Sequence, residues 1–159
     1  MTVAAVCPGS FDPITMGHLD IIGRAAVSFD RLVVAVLDNP RKQATFSVEE
    51  RIEFIVAETG QLPNVEVDRF QGLLVDFCNE RGIEIVCKGL RAVSDFEYEL
   101  QMAQMNRRIG GVETLLMSTS PEHSYLSSSL VKEVARLGGR LDGTVPPSVG
   151  EALRARFAS

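Results

Sequence analysis

The sequence of 159 residues contains no tryptophan, only two histidines and three cysteines, and no apolar run near the ~18 residues that a membrane-spanning helix needs. Glycine and proline are near average abundance, which excludes collagen-like and low-complexity chains. Cys7, Cys78 and Cys87 lack metal-binding spacings, so we expect small buried hydrophobes in a reducing compartment. The N-terminal residues MTVAAVCPGS lack the basic and apolar regions of a secretory signal. We therefore expect a soluble cytoplasmic protein with no membrane partner.

An excess of basic residues is also absent, because 16 Lys and Arg stand against 21 Asp and Glu, for a formal net charge of −5. Overall attraction to nucleic acid is therefore not expected, and an anionic ligand would have to be bound by local cations. The length corresponds to one domain, residues 1–159. Hydrophobic residues make up 45% of the chain, which is enough for a buried core without disulfides.

Short apolar runs rich in β-branched residues alternate with segments of helical spacing. These runs are Thr2–Cys7, Leu32–Leu37, Val65–Val67, Ile83–Cys87 and Thr114–Met117. Such alternation predicts an α/β fold, a Rossmann-like doubly wound sheet of five parallel strands in a single domain. Ligands of these folds bind at the carboxyl ends of the strands. The informative loops are therefore expected after Cys7, Leu37, Cys87 and Met117.

Helices are indicated between the strands by apolar stripes and by one capping signal. Ser47 followed by Glu50 has the form of a capping box, so a helix should begin there and run towards Thr59 and Gly60. Elsewhere one stripe consists of Phe96, Leu100 and Ala103. We expect each stripe to lie against the sheet.

The loop from Cys7 to His18 has the composition of a phosphate-binding turn. It places His18 at a helix start, where backbone N–H groups and the helix dipole favour anions. Gly9 and Gly17 permit close backbone approach, and Ser10 offers a hydroxyl. The alternative is an ordinary turn that precedes a helix. The pattern is neither the dinucleotide-binding glycine motif nor the Walker P-loop, so it indicates another type of phosphate site.

Two short motifs, Thr15–His18 and Ser127–Val131, match the T-x-G-H and serine-rich signatures of the nucleotidyltransferase superfamily. Further matching stretches are Gly9–Pro13, Lys88–Arg91, Asp95–Glu99, Gln101–Asn106 and Ser127–Glu133. In this order, over nearly the whole chain, they resemble the bacterial phosphopantetheine adenylyltransferases. The resemblance implies transfer of the adenylyl group of ATP to 4′-phosphopantetheine with Mg²⁺, in coenzyme A synthesis. It also implies a homohexamer and coenzyme A as feedback inhibitor, and it leaves the protein ligands of the metal unassigned.

The resemblance also implies roles for individual residues. His18 and Lys42 would be catalytic, His18 as transition-state stabiliser and Lys42 as the cation that draws in the acceptor phosphate. ATP would bind to Ser10, Phe11, His18, Gly89, Leu90, Arg91, Glu99, His123, Ser124, Tyr125, Leu126, Ser127, Ser128 and Ser129. The acceptor would bind to Ser10, Lys42, Leu74 and Lys88, with Met102, Met105 and Asn106 as channel walls. Ser10 and Lys88 stand where many members carry Thr and Arg, so charge is kept at position 88 but the planar fork of arginine is not.

The chemistry implied fits these residue types. A phosphate monoester is already an anionic nucleophile at neutral pH, so the reaction needs cations, N–H donors and alignment rather than a general base. Two alternatives remain. The chain could be a nucleotide sensor that binds ATP without transferring anything, or an adenylyltransferase for nicotinamide mononucleotide or glycerol phosphate.

Overall fold

Five parallel strands form one sheet in the computed structural model, which describes residues 1–158. The strands are β1 Ala4–Gly9, β2 Arg31–Leu37, β3 Val65–Phe70, β4 Ile85–Leu90 and β5 Glu113–Ser118. Their spatial order is β3-β2-β1-β4-β5, and every neighbouring pair is parallel. The predicted α/β class with a five-stranded parallel sheet is confirmed.

Helices cover both faces of the sheet. They are α1 Met16–Ser28, α2 Val48–Thr59, α3 Leu74–Arg81, α4 Val93–Gly110, α5 Ser128–Arg136 and α6 Pro147–Phe157, with a 3₁₀ turn at Pro121–His123. Successive side chains of β2 point to opposite faces of the sheet. Val34 packs with residues of α1, α2, α5 and α6 on one face, and Val33 packs with residues of α3 on the other. The side chains of β2 are therefore buried on both faces, as its near-continuous apolar run predicts. In residues 1–158 no helix is long and apolar enough to cross a membrane.

Four of the five strands extend further towards their carboxyl ends than the apolar runs indicate, and β2 ends with its run at Leu37. β1 continues to Gly9, which pairs with Val36, and β4 continues to Leu90, which pairs with Ser118. Apolar side chains report burial, whereas a strand ends where its backbone pairing ends, so the two boundaries differ. Gly89 and Leu90, which the resemblance places in a nucleotide-binding turn, are thus the last residues of a strand.

The stripe on α4 does not lie buried against the sheet. No residue of this helix is buried, and Phe96 and Leu100 are 41% and 40% exposed. The helix packs mainly against α3 and β5, at the edge of the sheet, which leaves much of its apolar face uncovered. A helical stripe indicates that a face is apolar but not which element covers it.

All three cysteines are free and buried, as expected. Cys7 and Cys87 belong to the neighbouring strands β1 and β4, and the contact with the Cys87 thiol together with burial raises the pKa of Cys7. Burial raises the pKa of Cys78 to about 11. The raised pKa values make the Cys7 and Cys78 thiols harder to deprotonate than exposed thiols.

Candidate active site

Three adjoining cavities lie at the carboxyl edge of the sheet, around the end of β1. Their volumes are about 330, 80 and 280 Å³, and they are called here the first, second and third cavity. Gly9 and Lys88 line both the first and the third, and Ser10 lines both the second and the third. The order of strands reverses between β1 and β4, so the site lies where doubly wound sheets bind ligands.

His18 lines the first cavity and is held there by a capping box at the start of α1. Its backbone N–H donates to Thr15 Oγ1 (3.3 Å), and the Thr15 N–H donates back to Nδ1 of the imidazole (3.0 Å). Because Nδ1 accepts, the proton of the neutral ring belongs on Nε2. Burial and the nearby Arg91 charge lower the pKa of His18 to about 4. At neutral pH, His18 is therefore an uncharged imidazole whose Nε2–H can donate to a ligand.

The backbone around Phe11 adopts a conformation that few bulky residues adopt. Phe11 has a φ of 48° and is buried, with its ring edge-on to His18 at 5.1 Å between centroids. Gly9 leaves room for this ring, because a Cβ at that position would lie 3.2 Å from it. Strained backbone of this kind collects at functional sites, and here it packs Phe11 beside the imidazole.

Arg91 connects the end of β4 to the chain segment before α5. Its Nη1 donates to the carbonyl of Leu126 (2.8 Å), and its Nε lies 3.3 Å from Asp95. The residues of this segment that line the first cavity are His123, Leu126, Ser127 and Ser128. Three of the expected ATP contacts do not line the first cavity, namely Leu90, Ser124 and Tyr125, whose side chain is exposed.

The serines before α5 have separate roles. Ser127 is the N-cap and accepts from the Leu130 N–H (3.1 Å), whereas the Ser128 hydroxyl donates to the carbonyl of Pro13 (2.7 Å). Ser129 lines the second cavity. The first amides of α5 have no acceptor within the helix, so this helix start can bind an anion between the first and second cavities.

The second cavity is strongly basic. Lys42, Arg51 and Lys132 line it together with Asp12. Lys132 lies 3.2 Å from Asp12, whose carboxylate also accepts the N–H groups of Thr45 and Phe46 at 2.9 Å. Asp12 is thus fully engaged, and Lys42 is the exposed cation of the group.

Lys88 and Glu99 form an ion pair between β4 and α4, with Nζ to carboxylate distances of 2.7 and 2.9 Å. Glu99, an expected ATP contact, lines the third cavity rather than the first. Leu74, an expected acceptor contact, also lines the third cavity, as do Met102 and Asn106, two of the three expected channel walls. Met105 is 55% exposed and does not line the cavity, in contrast to the expectation.

Gly89 has a packing role that the sequence does not reveal. A Cβ at this position would lie 2.9 Å from Cγ1 of Ile21 in α1, so the missing side chain makes room for Ile21. The resemblance implies an ATP contact at Gly89, which this packing does not test. The close approach of α1 to β4 still brings His18 and Lys88 to the same cavity.

The described residues contain no group of three or more His, Cys, Asp or Glu side chains that could hold a metal ion. The carboxylates at the site, Asp12 and Glu99, are paired with lysines. Mg²⁺ commonly binds through substrate phosphates and water, with few protein ligands. A magnesium ion at this site would therefore have to be held mainly by the phosphates of a nucleotide.

Three residues at the site were not singled out from the sequence. Arg51 and Lys132 lie on helices, where charged residues are usually exposed, so no local signal distinguishes them. Asp12 lies inside a matching stretch but was given no role. The capping box of His18 could have been found in the sequence, because Thr15 and His18 have the spacing of a capping box, with histidine in place of Glu or Gln.

The cytidylyltransferase-like family model matches residues 6–134. A curated relative, the phosphopantetheine adenylyltransferase of Streptomyces coelicolor, is 60% identical over 153 residues, which are 96% of each chain. Two solved structures have similar folds at low identity. A Vibrio parahaemolyticus protein assigned as a nicotinate-nucleotide adenylyltransferase is 18% identical with a TM-score of 0.65, over 97% of this chain and 99% of its own. A bifunctional NMN adenylyltransferase/ADP ribose pyrophosphatase from Francisella tularensis is 12% identical with a TM-score of 0.72, over 100% of this chain and 51% of its own.

Proposed function

The chain belongs to the cytidylyltransferase-like family and, within it, to the phosphopantetheine adenylyltransferases, and on that premise we propose how its three cavities divide the reaction. The enzyme transfers the adenylyl group of ATP to 4′-phosphopantetheine and forms dephospho-coenzyme A and pyrophosphate. This is the penultimate step of coenzyme A synthesis.

ATP occupies the first cavity, with its phosphates directed to the start of α5 and to Arg91. The observation that carries this assignment is the orientation of His18 in that cavity, where the capping box occupies Nδ1 and leaves Nε2–H to donate to a ligand. A donor fixed in advance stabilises negative charge as it develops on the α-phosphoryl oxygens. All the ATP contacts named from the sequence remain predictions, and of these Ser10 and Glu99 do not line the first cavity.

The acceptor occupies the third cavity, with its phosphate at the junction with the second cavity beside Ser10 and Lys42. A phosphate oxygen of the acceptor attacks the α-phosphorus, the bond to the β-phosphate oxygen breaks, and pyrophosphate leaves. Lys42 and Lys88 offset the repulsion between the two phosphates, and no side chain needs to remove a proton. Leu74 and Lys88 bind the acceptor in this arrangement.

The first cavity would receive ATP with Mg²⁺ held on its phosphate oxygens, and the ion would supply charge neutralisation there. Asp12 does not serve as its ligand, because two backbone N–H groups and Lys132 already occupy the carboxylate.

Self-association, which the resemblance implies to be a homohexamer, is supported by the apolar residues exposed on α4, which include Val93, Tyr98, Met105 and Ile109. Light scattering should show an assembly larger than a monomer, and Met105→Glu should reduce its mass. An unchanged mass for this variant would remove α4 from the interface.

Feedback inhibition by coenzyme A is supported by the shared wall of the first and third cavities, since this ligand carries both an adenosine and a pantetheine group.

Buried free thiols at Cys7, Cys78 and Cys87 support a cytoplasmic location.

The test is a transfer assay in which ATP is incubated with 4′-phosphopantetheine, nicotinamide mononucleotide or glycerol phosphate. Dephospho-coenzyme A and pyrophosphate should form only with the first acceptor. ATP binding without pyrophosphate release would indicate a sensor instead.

Lys42→Ala should impair turnover and acceptor use while ATP binding stays nearly intact, because Lys42 does not line the first cavity.

A further inference from the structure

Arg51 is a buried arginine without an acidic partner. It lies in the first two turns of α2, is 5% exposed, and forms no salt bridge with any residue of 1–158. A buried charge is costly unless its hydrogen bonds are well satisfied. The structure must therefore compensate this guanidinium in another way.

Backbone carbonyls from three chain segments supply the compensation. Nε donates to the carbonyls of Phe46 (3.1 Å) and Ser47 (3.3 Å), at the end of the loop that carries Lys42. Nη1 donates to the carbonyl of Ser10 (2.7 Å), after β1, and to that of Leu37 (3.2 Å), at the end of β2. One guanidinium thus connects Ser10, in the loop before His18, to both ends of the loop between Leu37 and Phe46, which is called the Lys42 loop below.

The segments held by Arg51 are those that bring the acceptor to ATP. Ser10 and Leu37 line the second and third cavities, and Lys42 lies on the loop between Leu37 and Phe46. Arg51 lines the second cavity only, so its contacts are on the acceptor side of the site.

We propose that Arg51 is a positioning residue for adenylyl transfer, which fixes the Lys42 loop relative to Ser10 and so sets the alignment of the acceptor phosphate. The inference rests on the proposed roles of Lys42 and Ser10. Misplacement of reacting groups by about 1 Å can lower a rate by roughly 100-fold. Lysine at this position would keep the charge, but a single ammonium does not reproduce the four-carbonyl fork.

The experiment compares Arg51→Lys with a matched control, Arg156→Lys. Arg156 contacts the same segment from the other side, through the carbonyl of Thr45 and the ring of Phe46, and lines none of the three cavities. For each variant, thermal melting, kcat, the KM for 4′-phosphopantetheine and the Kd for ATP without acceptor are measured.

Arg51→Lys should lower kcat/KM for the acceptor by about 10- to 100-fold while the Kd for ATP changes by less than about threefold. Arg156→Lys should lower the melting temperature and leave kcat/KM near that of the unmodified enzyme. Arg51→Met, which removes the charge, should be at least as slow as Arg51→Lys.

The proposal is overturned if Arg51→Lys only melts earlier and keeps its kinetic constants, if ATP binding and acceptor use fall together, or if the variant does not fold. Each of these results would make Arg51 a purely structural residue. The unmodified enzyme in the same assay tests the function separately, because a wrong function would leave it without dephospho-coenzyme A formation.

Discussion

At the scale of single residues, the site depends on a histidine whose orientation and charge are set by its own helix. In the capping box, Thr15 occupies Nδ1 of His18, and burial keeps the ring neutral. A neutral donor does not bind the substrate phosphates as a cation would. Its contribution is therefore greatest when charge develops in the transition state.

His18→Ala should lower kcat by roughly 10²–10³-fold, as expected for the loss of a fixed donor, with a smaller change in ATP affinity. The change also removes one half of the capping box, so Thr15→Ala is the matched control for that loss. Thr15→Ala should lower stability by about 1 kcal/mol and reduce kcat much less, because the Thr15 N–H still orients the ring. Equal rate losses in the two variants would assign the effect to helix capping.

A second test concerns Lys88, which is paired with Glu99. Substitution by Ala removes the charge at this position, whereas substitution by Arg keeps the charge and changes the shape of the side chain. Lys88→Ala should severely lower kcat/KM for 4′-phosphopantetheine, whereas Lys88→Arg should keep much of the activity. Glu99→Gln should leave the lysine in place and have a smaller effect. The measurement is kcat/KM for both substrates in the three variants. If Ala and Arg are equally harmless at position 88, Lys88 does not bind phosphate.

At the scale of secondary structure elements, the distance between α1 and β4 is set at Gly89. Gly89→Ala would place a Cβ 2.9 Å from Ile21, and overpacking of this kind typically lowers stability by about 1–3 kcal/mol. We expect weaker ATP binding as well, because α1 carries His18.

The matched control for this prediction is Gly23→Ala in the same helix, where a Cβ meets nothing within 4 Å. Alanine there should increase stability by about 0.5–1 kcal/mol and leave ATP binding unchanged. Thermal melting and ATP titration of both variants check the pair. A Gly89→Ala protein that is as stable as the unmodified enzyme would show that Ile21 shifts freely.

At the scale of the whole molecule, the half-buried His18 and the buried Asp12 make the fold sensitive to acid. The pKa of His18 falls from 6.5 to about 4 on folding, so the unfolded chain binds more protons between these values. The stabilisation is complete above pH 6.5 and is lost as the pH falls to 4, by on the order of 3 kcal/mol.

Asp12 affects the stability of the fold at lower pH than His18 does. Burial alone would raise its pKa, but the Thr45 and Phe46 N–H groups and Lys132 together lower the pKa below the ordinary 3.8. Its stabilisation is present above that value and is lost as the pH falls further. Denaturant unfolding from pH 7 to pH 3 should show both losses, and His18→Gln should remove the one between pH 6.5 and 4. A stability that is flat over that interval would contradict the neutral His18.

The sequence by itself determined the features that depend on local patterns. Apolar runs such as Leu32–Leu37 predicted the buried strands, and Ser47 and Glu50 predicted the start of α2. The loop before His18 predicted a helix start, which α1 confirms, whereas the anion site there stays a prediction. These features follow from side-chain periodicity and from hydrogen bonds between residues three or four positions apart.

Only the tertiary structure decided which distant groups meet. The carbonyl of Ser10 and the guanidinium of Arg51 are 41 positions apart, and Asp12 and Lys132 are 120 apart. The exposure of Phe96 on α4 likewise depends on what packs against that helix. No local pattern encodes such pairings, because they arise when the order of strands brings the ends of β1, β2 and β4 to one edge of the sheet.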